Sequence, residues 1–269
     1  VRFTKNLKED LARRDFTVNA MALAIKSQIP NPKSQINPKS QIPNAKNITL
    51  LDLFGGQEDL ENKMIRAVGN PEERFDEDAL RMMRAVRLAV ELDCNIEPQT
   101  LSAIKKNSAW LSAISKERIN EELVKIILSE NTDKGIELLS ETGLLKHIIP
   151  ELEKGIGVSQ NRHHIYTIYQ HSVLSLKYAA KKNYNLVVRL AALLHDIAKP
   201  QTKQGEGPDA TFYNHDIVGA KIALRILEHL RFSREIIEKV ANLIRNHMFV
   251  YDIGAVTEAG VRRLLRRVG

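Results

Sequence analysis

Cysteine is almost absent: Cys94 is the only one in 269 residues, so no internal disulfide can form, and a reducing, cytoplasmic setting is expected. Long apolar runs are missing too. Those present are short and broken by charge, so neither a helical membrane span nor a secretory leader is expected. Aromatics make up only 5% of the chain, too few for an extended platform on which bases could stack. No acidic excess exists either: 40 Lys and Arg against 33 Asp and Glu give +7, with a pI near 9.4. That balance favours a polyanionic partner without requiring one. What is present is enough apolar residue, 43%, for a real core. The chain opens on Val1 rather than Met and stops at Gly269 just past a basic helical pattern, and both ends read as cuts. Nothing in the composition sets an oligomeric state.

The periodicity predicts a mainly α fold with a residual α/β piece at its start. Up to residue 26 the chain reads as a short amphipathic stretch, a helix and a strand-like run from Met21 to Ile25. Residues 27–47 hold three near-copies of one unit, SQIPNPK, SQINPK and SQIPNAK, too polar to build a core and expected to form an exposed insertion. A strand-like run, Ile48 to Phe54, a Gly55-Gly56 turn, a short helix and a strand at Ile65 to Val68 follow. From Asp76 the chain is all helix, in segments 76–92, 98–106, 116–128, 132–142, 166–182, 186–198, 215–230, 234–247 and 257–268. Pro150, Gly155 and Gly157 place a boundary near 150–165, giving units 1–70, 71–160 and 161–269, the last incomplete at its C-terminus.

Two polar constellations stand out in the first half. In Arg13-Arg14-Asp15-Phe16-Thr17-Val18-Asn19-Ala20, a helix would put Asp15 and Asn19 on one face, beside arginine forks suited to phosphate. The same residues would equally make a solvated helix with a salt bridge. In the second, Asp78, Arg81, Arg84 and Arg87 recur every third residue of one expected helix. Asp78 only accepts and Arg81 only donates. Cytosine and adenine each offer an amino donor beside a ring-nitrogen acceptor, so a rigid Asp–Arg pair could bond either one and mismatch guanine or uracil. An ordinary ion pair between Asp78 and Arg81 fits this spacing as well.

Taken in order, these segments resemble a known family. Arg13 to Ala20 resembles the RRDFTxNA motif of class II CCA-adding enzymes and bacterial poly(A) polymerases, and Glu77-Asp78-Ala79-Leu80-Arg81 their EDxxR motif. Asp52 to Leu60 is similar to the DxxGGxxDL segment, and Ser115 to Ile127 to the SxERIxxELxKIL helix. The resemblance covers roughly residues 1–150. It implies a nucleotidyltransferase head followed by a helical neck and body, and transfer of nucleotides from CTP and ATP to a tRNA or other RNA 3′ end with two Mg²⁺ ions. Arg14, Asp15 and Asn19 would contact sugar and triphosphate, Asp78 and Arg81 would read the base, and Arg84 would help hold either the triphosphate or the Arg–Asp geometry. Asp52 and its glycines would belong to a mobile element. In the family, a strand bearing two carboxylates precedes the RRD motif and holds the metals. Here Glu9 and Asp10 are consecutive and do not face one site, so the chain as given is expected to be inactive in nucleotide transfer.

The second half carries His171, His195-Asp196, His215 and His247 on four successive expected helices. His195 and Asp196 close a strongly apolar helix, where a charge needs a partner or a metal. Imidazole and carboxylate suit first-row divalent ions, which can activate water against a phosphoester, with Lys199 neutralising phosphate. The pattern over 165–252 resembles the HD phosphohydrolase superfamily. It implies a divalent ion of unspecified identity on His171, His195 and Asp196, with His215 and His247 as ligands or phosphate contacts; a degenerate HD fold kept for its shape remains open. Asp216 and Asp252 stay ambiguous, while His147, His163, His164 and His229 are read as structural. Arg262, Arg263, Arg266 and Arg267 form either a phosphate-facing stripe or a solvated face. The function expected is tRNA CCA addition by the full-length protein. The rivals are poly(A) polymerase, a stand-alone HD phosphohydrolase and a non-enzymatic RNA binder.

Overall fold

Asn6 caps the first helix, α1 (Leu7–Ala12), by accepting from the Lys8 amide at 3.1 Å. The computed structural model describes residues 6–25, 48–161, 165–248 and 257–268. After α1 the backbone extends instead of continuing as a helix. Phe16, fully buried, bridges antiparallel to Ala67, and Thr17–Asn19 forms a single 3₁₀ turn. The amide of Thr17 donates to the Arg66 carbonyl at 3.0 Å and that of Val68 to the Asp15 carbonyl at 3.1 Å. The helix expected to carry Asp15 and Asn19 is therefore absent, because cross-chain partners satisfy this backbone.

Strands β1 (Met21–Ile25) and β2 (Ile48–Asp52) pair antiparallel, Met21 opposite Asp52 and Ile25 opposite Ile48. The strands on either side of the repetitive insertion thus meet, while the insertion itself lies outside the described residues. Asp52 then caps α2 (Gly56–Glu61), accepting from the amides of Gly56 at 2.9 Å and Gln57 at 2.8 Å. Burial opposes its ionisation, yet these N–H groups hold its carboxyl below the usual range. A side chain on Gly56 would strike the Thr17 carbonyl, which explains the glycine there. Asp59 of α2, also buried, accepts from the Thr17 hydroxyl at 2.7 Å and from Arg66. The Thr17 bond ties the RRDFT segment to α2, and the Arg66 bonds tie α2 to the stretch that pairs with that segment.

β3 (Met64–Ile65) leads to α3 (Pro71–Glu77), capped by Asn70. α4 (Leu80–Glu91) follows, and β4 (Asn95–Ile96) returns parallel to β3. The single helix expected over 76–92 is broken at Asp78, whose backbone is extended at φ −158°. Its carboxylate accepts from the Leu80 amide at 3.1 Å, so it serves as a cap for α4 rather than a link in a continuous helix. The helical middle continues with α5 (Pro98–Asn107), α6 (Lys116–Leu128), α7 (Thr132–Glu141), α8 (Leu145–Ile148) and α9 (Pro150–Glu153). Arg87 of α4 reaches the buried Glu122 of α6 at 2.6 Å.

The C-terminal half comprises α10 (Ile168–Lys181), α11 (Leu186–Leu194), α12 (Lys199–Thr202), α13 (His215–His229), α14 (Arg234–Arg245) and α15 (Glu258–Val268). Thr167 and Gln170 close a capping box at the start of α10. α11 ends at Leu194, four residues short of the expected end, and His195 to Ala198 form a turn. The buried apolar side chains make one cluster from Phe16 to Ile244, so the two halves share a core. Arg189 of α11 strengthens that joint, donating to the carbonyls of Ile127 at 2.9 Å and Ser129 at 3.0 Å at the end of α6. No helix of the described residues is long and apolar enough to cross a membrane.

Candidate functional site

One cavity of about 520 Å³ gathers all six residues expected to contact nucleotide: Arg14, Asp15, Asn19, Asp78, Arg81 and Arg84. Arg13 and Arg118 complete its wall. Five guanidiniums therefore face two carboxylates, a balance suited to a polyphosphate. Asp15 is buried and fully engaged: Arg84 Nε donates to it at 2.7 Å, the Phe16 amide at 2.9 Å and Asn19 Nδ2 at 3.3 Å. Asp15 and Asn19 do meet, though through the 3₁₀ turn rather than a helix face. Arg14 reaches Asp10 at 3.1 Å from an exposed position.

The expected Asp78–Arg81 pair does not form. Arg81 instead bonds Glu77 at 2.6 Å and the carbonyls of Arg74 and Arg13 at 3.2 Å each. With the helix broken at Asp78, its carboxylate turns toward α6, where Arg118 Nη1 and Nη2 donate at 3.3 and 2.7 Å. Asp78 and Arg81 still line one cavity with Asp15 and Asn19, so both can reach a common ligand.

A second cavity, of about 430 Å³, holds the histidines and Asp196. His171 Nε2 lies 3.0 Å from His195 Nε2, and His215 Nε2 lies 3.2 Å from His247 Nε2. The buried Asp196 sits between the pairs, with Oδ2 3.4 and 3.2 Å from His171 and His195, and Oδ1 3.6 and 3.8 Å from His215 and His247. His195, His215 and His247 each place Nδ1 against the carbonyl three residues earlier, at 2.9, 2.7 and 2.6 Å. An Nδ1–H donated there leaves the Nε2 lone pair facing inward, the tautomer a metal requires. Lone pairs facing each other at these separations repel unless a cation lies between them. Two triads, His171-His195-Asp196 and Asp196-His215-His247, have ligand atoms within 4.8 Å of one another. This site is fit for a divalent metal. Burial works against the charge on Asp196, but the adjacent Lys199 ammonium helps hold its carboxyl far below the usual range. Burial also pushes the His247 imidazole down, favouring the neutral form that ligates.

Family models match three consecutive stretches of the chain. These are the poly A polymerase head domain over residues 1–66, the probable RNA and SrmB-binding site of polymerase A over 93–156, and the HD domain over 168–267. An A-adding tRNA nucleotidyltransferase of Deinococcus radiodurans is 34% identical over 97% of the chain and 56% of its own length. The chain belongs to the CCA-adding enzyme and poly(A) polymerase family and carries an HD domain. Within this family, a CCA-adding enzyme of Ligilactobacillus salivarius is 46% identical over 55% of the chain and 31% of its own length. The CCA-adding enzyme of Bacillus stearothermophilus, solved in complex with CTP, matches with a TM-score of 0.63 at 26% identity. That match covers 99% of the chain and 53% of the solved protein. The chain therefore spans little more than half the length of such relatives.

Sequence reasoning missed Arg118 as a member of the first cavity, although its ERI segment held the signal. Lys199, expected to neutralise phosphate, is buried and bound to Asp196 at 2.9 Å and to Gln160 at 2.7 Å. It therefore positions Asp196. His147 is half-buried against Ser112 and His229 is exposed, and neither lines either cavity. His163, His164 and Asp252 lie outside the described residues.

Proposed function

We propose that the cavity of Asp15, Asn19, Asp78, Arg81 and Arg84 binds a nucleoside triphosphate, CTP or ATP, for transfer to a tRNA 3′ end by the whole protein. The observation that carries this reading is the convergence of phosphate-type arginines and the Asp78 acceptor in one cavity. The head and RNA-binding matches favour it over a stand-alone HD phosphohydrolase. Poly(A) polymerase is the rival within the family, separated by whether CTP is used. Arg14, Arg84 and Asn19 would hold triphosphate and sugar, while Asp78 and Arg81 would read the base edge. The described carboxylates here do not fit a two-Mg²⁺ site: Asp15 is held by Arg84, Asp78 by Arg118, and Asp10 by Arg13 and Arg14. No transfer step is assigned to them. The test is competition against a fluorescent ATP analogue. ATP and CTP should displace it at roughly tenfold lower concentration than GTP and UTP, the equivalent of about 1.4 kcal/mol. Equal displacement by all four would overturn the base-reading role.

For the second cavity we propose that His171, His195, Asp196, His215 and His247 hold the divalent metal. When bound, such an ion supplies the charge that polarises a phosphoester. The chain's own contribution is orientation: three backbone carbonyls fix the imidazoles, and Lys199 fixes Asp196. The units 1–70, 71–160 and 161–269 and a cytoplasmic location belong to the same proposal.

A further inference from the structure

We infer that the cavity between α14 and α15 is an anion site that extends the metal cavity, accepting a neighbouring phosphate of an oligonucleotide whose phosphoester lies at the histidines. This rests on reading the histidine cluster as a phosphoester site. Arg245, Arg263 and Arg267 line a space of about 280 Å³ together with Asn246, Met248 and Leu264. Among the described residues, no carboxylate lines it. Among the described residues, too, none of these three guanidiniums has an ion-pair or side-chain hydrogen-bond partner, whereas Arg262 on the same helix is bound to Glu258. Gathering three unneutralised forks around one hollow is unfavourable by itself and becomes favourable when a polyanion enters. α15 is fixed there through Asn242, whose side chain donates to the Arg267 carbonyl.

The hollow adjoins the metal cavity. Asn246 lines the first, His247 the second, and Met248 both. A ligand passing over Met248 would place one phosphate at each side. The metal cavity also has Phe212 and the largely exposed Tyr213 in its wall, ring faces on which a base can stack. A chain with successive phosphates could fill both cavities.

The metal-loaded protein should be titrated with a fluorescein-labelled single-stranded ribo-oligonucleotide, reading anisotropy at several salt concentrations. The R263A/R267A variant should bind about tenfold more weakly at low salt. Its slope of log Kd against log salt should fall by roughly 0.7, for the one phosphate that is no longer neutralised. R263K/R267K should recover part of the affinity, and R262A should behave as wild type. A dinucleotide should displace the probe from wild type better than AMP does. Unchanged affinity and slope in R263A/R267A, or equal displacement by AMP and dinucleotide, would overturn the inference. Hydrolysis of bis(p-nitrophenyl) phosphate reports the metal cavity separately and should survive R263A/R267A. If wild type binds the probe through its arginines but cleaves no ester, the anion site stands and the phosphoester reading falls.

Discussion

Arg118 grips both carboxylate oxygens of Asp78, at 3.3 and 2.7 Å, from a helix 40 residues further along the chain. Asp78 is thereby held at three points, since its Oδ1 also caps α4 at the Leu80 amide. A carboxylate fixed in this way presents its remaining acceptor capacity in one direction, as discrimination between base edges requires. Arg118→Ala should leave Asp78 capping α4 but free to swing. Preference for ATP over GTP should then drop by about tenfold, near 1.4 kcal/mol, while affinity for inorganic triphosphate changes little. Competition titrations read both quantities. A variant with undiminished ATP-over-GTP preference would show that the grip is only scaffolding.

The histidine cluster gives a second expectation. His195 supplies a ligand atom close to both His171 and Asp196. His195→Ala should reduce divalent-metal content measured by plasma emission, and EDTA should lower the melting temperature of wild type more than that of the variant. Stoichiometric metal retained by the variant would end the assignment of His195.

Much of this arrangement is legible in the sequence, for identifiable reasons. His195 and Asp196 can be read because they are expensive polar groups closing an apolar helix, while His171, His215 and His247 are read from their order on successive helices and the HD resemblance. Asp15 and Asn19 are correctly paired for a wrong reason: no helix runs through them, and the turn at Thr17–Asn19 brings the Asn19 side-chain amide back to Asp15. The break at Asp78 is not legible. Period-three spacing from Asp78 to Arg87 looks continuous, and only the bond to Arg118 in α6, a non-local fact, shows the carboxylate turned away from Arg81. Arg189 escapes notice for the same reason: its partners are backbone carbonyls, which carry no side-chain signature.

That arginine supports a third prediction. Arg189 is buried and donates to the carbonyls of Tyr184, Ile127 and Ser129, the last two at the end of α6. Arg189→Met keeps the stem and removes the donors. The stranded acceptors should reduce stability by roughly 3 kcal/mol. For a chain of this size that is a fall of roughly 6–12 °C in melting temperature by calorimetry. A shift under about 2 °C, well below that range, would mean that water replaces the guanidinium and that the joint between the halves rests on apolar packing alone.

The last prediction concerns acid. His147 meets the Ser112 hydroxyl through Nδ1 at 3.1 Å, while its Nε2 is buried without a hydrogen-bond partner. Burial pushes its pKa below 6.5, and the charges of Lys146 and Lys116 push the same way. The folded chain thus keeps the ring neutral in a range where the unfolded chain takes up a proton. With fewer protons bound in the folded state, stability is present above about pH 6.5 and is lost as pH falls below it. His147→Gln keeps a polar side chain that does not titrate. Between about pH 7.5 and 5.5, a window spanning the ordinary imidazole pKa, the melting temperature of wild type should therefore fall more steeply than that of H147Q. Every other ionisable group is common to both proteins, so the difference isolates His147. Parallel curves would mean that the ring reaches water and takes up its proton without opening the fold.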